Sequence, residues 1–214
     1  MKRLECAGVL AAFLWFTTLA GCASDLRDSR AVSLSAPATT HAIAAGKPFI
    51  NAHAIIILRH ADIDPAQKAK MGNAAPLLPR GEERAKEIVT ALKDAGITRI
   101  ITSSALRTQA TAAPLAELLG IKEDDIGTHA AENGMPSPSE ADKVIAYLAA
   151  SAKPDQTILL VHHHSVIPSI MADLGFEHEP EYVDATEFDR VYLVLPDPEK
   201  RTYQLFRLRF GGKW

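Results

Sequence analysis

The stretch AHAIIILRH, residues 52–60, decides how the rest of the chain is read. Ile55, Ile56, Ile57 and Leu58 follow one another with no polar residue between them, so neither face of an extended segment could meet water. Such a run is a strand buried on both faces, the kind found in parallel sheets covered by helices. It ends on Arg59 and His60, which places two polar side chains at its carboxyl end.

Working outward, the same grammar repeats. ITRIITSS (97–104) and QTILLVHH (156–163) read as two further buried strands, and DRVYLVL (189–195) and TYQLFRLRF (202–210) as a closing pair. Between them lie amphipathic segments. Residues 82–95 carry Ala85, Ile88, Val89, Leu92 and Ala95 on one helical stripe, closed by Gly96. Residues 105–120 form a second helix in which Pro114 predicts a kink or break. Ser137-Pro138-Ser139-Glu140 is a capping-box start for a helix running to Ala150, and residues 165–175 form a short one. Residues 62–79 and 127–136 read as loops. Strands alternating with helices predict right-handed crossovers and a three-layer α/β/α sandwich with a mostly parallel central sheet. Ligands on such a sheet bind beyond the carboxyl ends of its strands.

The 214 residues carry a formal net charge of −3, with no basic footprint for nucleic acid. The amino terminus stands apart from the fold. Lys2 and Arg3 precede an apolar stretch, residues 9–20, and then LAGC, residues 19–22. The stretch is short for a spanning helix, and the pattern resembles a bacterial lipoprotein signal, with a plain secretory signal as the alternative. The resemblance implies removal of residues 1–21 and lipidation of Cys22, hence a protein held on the bacterial cell envelope by its acyl chains. Ser24, two residues after Cys22, implies the outer membrane, facing the periplasm. The only other cysteine, Cys6, would be discarded with the signal. Residues 22–48, rich in Ala, Ser and Thr, read as a flexible tether with His41 solvated, and the folded domain as residues 49–214.

Arg59-His60, Arg107 and the triplet His162-His163-His164 fall at the ends of three predicted strands. Two guanidiniums and two imidazoles around one point suit a phosphoryl dianion: the forks match its oxygens, and a neutral imidazole can attack phosphorus. LRHADID, PLLPRGEERA, ITSSALRTQATAAPLAELLG and VHHHSVIP, in that order, resemble the motifs of the histidine phosphatase superfamily, branch 1, which holds phosphoglycerate mutase-like and phosphohistidine phosphatase-like proteins. The resemblance implies a phosphoglycerate mutase-like fold and a phosphatase with no cofactor or metal. His60 would be the residue phosphorylated, with Arg59, Arg107 and His163 holding the phosphate. In the triplet, Val166, Ile167 and Pro168 set the register on His163, with His164 the alternative. Glu132 in AENG would be the general acid and Asp62 its competitor; a site without a dedicated acid would suit a phosphoramidate. The implied partner is a small phosphorylated substrate or a phosphoprotein.

Two rival readings come from other classes. A metal enzyme would use the triplet as ligands, but neighbouring residues on a strand point apart and no H-x-x-x-H lies on a helix. A non-catalytic phospholigand-binding lipoprotein would keep the same pocket without turnover.

Overall fold

The computed structural model describes residues 33–127, 138–177 and 187–211. Seven strands form one sheet: β1 (Ser33–Ala42), β2 (Ala54–Arg59), β3 (Arg99–Thr102), β4 (Asp124–Asp125), β5 (Thr157–His162), β6 (Arg190–Asp197) and β7 (Thr202–Arg209). Their spatial order is β1-β7-β6-β2-β5-β3-β4. The half from β2 to β4 is parallel, and β6, β7 and β1 add an antiparallel ribbon, so five of the seven strands run in one direction. The helices are α1 (Pro65–Met71), α2 (Pro79–Leu92), α3 (Leu106–Leu119), α4 (Pro138–Ser151) and α5 (Ile167–Asp173).

The run that opened the sequence reading behaves as its composition demands. All six residues of β2 are buried, and they divide by parity between two cores. Ile55 and Ile57 pack with Val144, Leu148, Ile170 and Met171 of α4 and α5. Ile56 and Leu58 pack with Ile88, Leu92, Leu115 and Ala116 of α2 and α3. Each fully buried aliphatic side chain contributes about 1.5 to 3 kcal/mol, so the sheet needs a helical layer on either side, and it has both.

Three expectations are corrected. Residues 33–42 are not a tether: they form β1, paired with β7, so the folded domain begins before Phe49. The low hydrophobicity of β1 hid it, because an edge strand buries little; His41 is exposed there but lies edge-on to Phe176, 5.1 Å between centroids. Residues 65–71, read as loop, form α1, capped by the Asp64 side chain accepting from the Ala66 amide at 2.8 Å with Pro65 in the first turn. Pro114 does not break α3, which continues unbroken through it. Among the described residues no helix is long and apolar enough to cross a membrane; the apolar stretch 9–20 and Cys22 lie outside them.

The link between β2 and α2 depends on one close approach. The Leu78 amide donates to Asp62 O at 2.9 Å, drawing the first turn of α2 against the chain just past β2. A Cβ on Gly81 would collide with that same carbonyl. The glycine of the PRG motif is therefore a packing requirement that holds α2 beside the strand end.

Candidate active site

Three parallel strand ends meet. Arg59, last in β2, pairs in register with His162, last in β5, and the His60 amide extends the ladder by donating to His162 O at 3.0 Å. His60 is thus fixed one residue past β2, with 2% of its surface exposed. Its Nδ1 lies 2.8 Å from Ala61 O. A carbonyl can only accept, so Nδ1 carries the proton and Nε2 keeps the lone pair.

His163, one residue past β5, sets its ring 5.4 Å from that of His60. Its Nε2 is 2.9 Å from Ser103 Oγ, the first residue past β3, and its Nδ1 is a buried atom with no protein partner. Ser103 Oγ in turn lies 2.9 Å from Thr108 Oγ1, which sits 2.7 Å from Ala105 O in the first turn of α3. Thr111 of the same helix donates to Arg107 O at 2.6 Å and accepts from the Ala61 amide at 2.8 Å. Hydroxyls at the start of α3 therefore tie both histidine-bearing strand ends to the helix that carries Arg107.

Arg107 is 1% exposed; its Nη1 donates to Gly72 O at 3.2 Å, and its Nε is buried without a protein partner. Arg59 donates from Nη1 to Glu187 O at 3.0 Å and lays its guanidinium over the Phe188 ring, 3.8 Å from the centroid. That ring stands 6.3 Å from His60. Residues 187–189, leading into β6, are held by ion pairs of Glu187 with Arg190 and Arg209, the latter also gripping Asp189 at 2.9 Å.

The electrostatics follow from this packing. Burial pushes His60 well below the ordinary imidazole range, and the Arg59 and Arg107 charges push it further, so the ring is neutral and nucleophilic at neutral pH. Burial also lowers His163, with further lowering from His162, His60, Arg107 and Lys68. His162 and His164 are each lowered to about 4, chiefly by burial and then by nearby cations.

The structure thus brings together Arg59, His60, Arg107 and His163, the four residues expected to handle phosphate. His163 is the triplet member in ring contact with His60, which favours that register over His164. His164 lies close enough to Arg59, Lys68 and Arg107 for their charges to lower its pKa. Asp62 points elsewhere: it is bound by Arg84 Nε at 2.5 Å, against α2. Glu132 lies outside the described residues. Three residues of the site went unassigned in the sequence. Ser103 stands inside the quoted ITSSALRT motif, Lys68 rides on the helix announced by Asp64-Pro65, and Phe188 has no local signal. Among the described residues no three His, Cys, Asp or Glu side chains gather as a metal site.

Comparison with known proteins agrees with the geometry. Residues 55–129 match the model of the histidine phosphatase superfamily (branch 1). No curated protein matches the chain in sequence. Among solved structures, the protein histidine phosphatase SixA complexed with tungstate superposes with a TM-score of 0.56 at 18% identity, covering 73% of this chain and 96% of that one. A mycobacterial glucosyl-3-phosphoglycerate phosphatase complexed with VO3 gives 0.51 at 16% identity, covering 75% and 98%. Bacillus stearothermophilus YhfR gives 0.52 at 16%, covering 75% and 97%. The mixed α/β fold with its mostly parallel sheet is the phosphoglycerate mutase-like fold of these proteins.

Proposed function

We propose that the protein is a phosphatase of the histidine phosphatase superfamily, branch 1, which hydrolyses a phosphorylated substrate through a phosphohistidine on His60 and is held on the bacterial cell envelope by lipid on Cys22. The observation that carries the catalytic part is the state of His60: neutral, its proton fixed on Nδ1 by Ala61 O, its Nε2 lone pair free to react, and two guanidiniums beside it. The family match over residues 55–129 and the shared fold support it.

In the first step His60 Nε2 attacks phosphorus in line. The N–P bond forms as the bond to the leaving oxygen breaks, and Ala61 O stabilises the positive charge that builds on the ring through the Nδ1 proton. Arg59 and Arg107 hold the equatorial oxygens as their charge redistributes. His163 assists from the side: its Nε2 is engaged by Ser103, and its buried Nδ1 is the nitrogen left over to face the phosphoryl group. Glu132 is the acid in this reading, protonating an alkoxide leaving group. In the second step water attacks the phosphohistidine while the Glu132 carboxylate takes its proton, the N–P bond breaks, phosphate leaves, and the Nε2 lone pair is restored.

The test is direct. Turnover with a labelled phosphoryl donor should leave acid-labile, alkali-stable phosphate on His60, absent from His60→Ala, and activity should survive exhaustive chelation. Saturable phosphate-ester binding with neither label nor turnover would favour the non-catalytic phospholigand-binding alternative. For the anchor, Cys22→Ser should abolish incorporation of a fatty-acid analogue and release the protein from the membrane fraction; label retained by the serine variant would refute it.

A further inference from the structure

The antiparallel ribbon carries a second cluster of positive charge, centred on β6 and β7 and sharing no residue with the site of His60. Register sets Arg190 of β6 opposite Arg209 of β7, and Tyr192 opposite Arg207 two residues along. Side chains two apart on a strand share a face, so three guanidiniums and a phenol stand on one side of the ribbon. With Leu34 and Ala36 of β1 they line a cavity of about 550 Å³, within the size range of small-molecule sites. Among the described residues that line it there is no carboxylate.

Two arginines facing each other across a ribbon repel. Here Glu187 answers both, pairing with Arg190 and, at 3.1 Å, with Arg209, while Asp189 takes Arg209 at 2.9 Å. The ribbon thus already holds an oxyanion between two guanidiniums, supplied by its own chain. Arg207 is oriented from the other side, donating to Pro37 O at 3.2 Å and Thr39 Oγ1 at 3.3 Å, where irregularities in β1 interrupt the ladder. Those two oxygens are neutral, so these contacts aim the fork without cancelling its charge.

Residues 187–189 also reach the site of His60. The Glu187 carbonyl accepts from Arg59, and the Phe188 ring lies under that guanidinium. One short segment therefore gives its carboxylates to the ribbon and its backbone and ring to Arg59.

We propose that the cavity on the ribbon is a second oxyanion site, built for a phosphate-type group by Arg190, Arg207 and Arg209, and that its occupant is felt at Arg59 through residues 187–189. The coupling rests on the phosphatase reading of His60; the site itself does not. Guanidinium forks match the oxygens of such a group, and three of them converge on a lining without acids. An incoming anion shares Arg190 and Arg209 with Glu187 and Asp189, so the segment loses part of its hold and Arg59 part of its support. Occupancy therefore slows turnover. Exposed Leu34 at the cavity also admits the headgroup of an anionic lipid, whose phosphate is chemically the same ligand.

Counting phosphates decides it. Calorimetry of the purified protein with inorganic phosphate should give two sites per chain. Arg107→Gln should weaken the site at His60 and spare the ribbon. Arg207→Gln should do the reverse, weakening the ribbon site about tenfold or more. Ala36→Glu, which sets a carboxylate inside the cavity and leaves all three arginines in place, should abolish the ribbon site. A single site in the parent protein, or a full-strength second site in either ribbon variant shown by circular dichroism to be folded, would overturn the site and leave the arginines as a clamp on residues 187–189. Sulfate should inhibit turnover in two ways, raising KM from the site of His60 and lowering kcat from the ribbon, with only the second lost in Arg207→Gln. Purely competitive inhibition with both sites filled would overturn the coupling. Two sites without any turnover would keep the ribbon site and overturn the phosphatase reading. Vesicles separate the sources: an Arg207-dependent preference for phosphatidylglycerol over phosphatidylcholine assigns a lipid headgroup, and two phosphate sites with no such preference assign a soluble anion.

Discussion

The floor and the mouth of the crevice are built by different means. The floor is where β2, β3 and β5 end together: His60, Ser103 and His163 are buried, and each is tied by hydrogen bonds to a strand end or to the first turn of α3. The mouth is made of a seven-residue helix and a turn, α1 with Lys68 and the residues after His163, and its polar groups are half-buried with few protein partners. Rigid strand ends fix the reacting atoms to within fractions of an ångström, which in-line phosphoryl transfer demands. Short peripheral elements set which molecule is presented to them. Floor and mouth should therefore respond differently to mutation, the one in rate and the other in selectivity.

The sharpest break of that comparison sets His163 against His164. His163→Ala removes the imidazole proposed to serve the transferred group and should lower kcat about a hundredfold to a thousandfold. His164→Ala should retain phosphohistidine formation and lower kcat far less, because its ring is not the one in contact with His60. Steady-state rates and phosphate labelling read both, and the reverse pattern would exchange their roles.

Next in size is Ser103→Ala, which frees His163 Nε2 from its 2.9 Å partner and should cost about tenfold in kcat, since a buried imidazole is left unoriented. Phe188→Ala should cost about fivefold, the value of roughly 1 kcal/mol for a partly exposed guanidinium–ring contact. Phe188→Tyr should recover it, because the ring face under Arg59 survives, whereas Phe188→Leu should not.

The smallest effects are those of pH. The folded pKa values of His60, His162, His163 and His164 all lie below the ordinary 6.5. The unfolded chain therefore binds protons that the folded chain refuses as pH falls through 6.5, and stability declines from there towards about 4, where His162 and His164 would themselves titrate in the fold. Thermal melts between pH 8 and 5 should show the loss, and His162→Gln should flatten the slope. In catalysis the acid limb of kcat/KM should lie below 6.5, and Arg59→Gln should move it up, because a cation that disfavours imidazolium has been taken away.

The buried strands, the alternation of strand and helix, and the placing of Arg59, His60, Arg107 and His163 at the strand ends could be read from the chain, while their proposed roles came from the family resemblance. Each depends on local chemistry: the aliphatic run 55–58 has no other use than a doubly covered strand, and a strand's carboxyl end is where its polar residues must go. The family resemblance chose His163 within the triplet, through its offset to Val166, Ile167 and Pro168, and His163 is the member in ring contact with His60. By contrast β1 lacks an apolar period, because an edge strand gains its place from the backbone of β7 and not from side-chain burial. Phe188 reaches Arg59 beside its neighbour Glu187, itself 128 residues from Arg59 in sequence, a proximity that no window of the chain contains. Lys68 joins Arg107 only because the Gly72 carbonyl happens to face that guanidinium once α1 and α3 are docked. The sequence by itself determined which atoms can do the chemistry, since periodicity and residue type are local; the tertiary structure alone decided what surrounds them, because partners far apart in the chain meet only when the sheet is assembled.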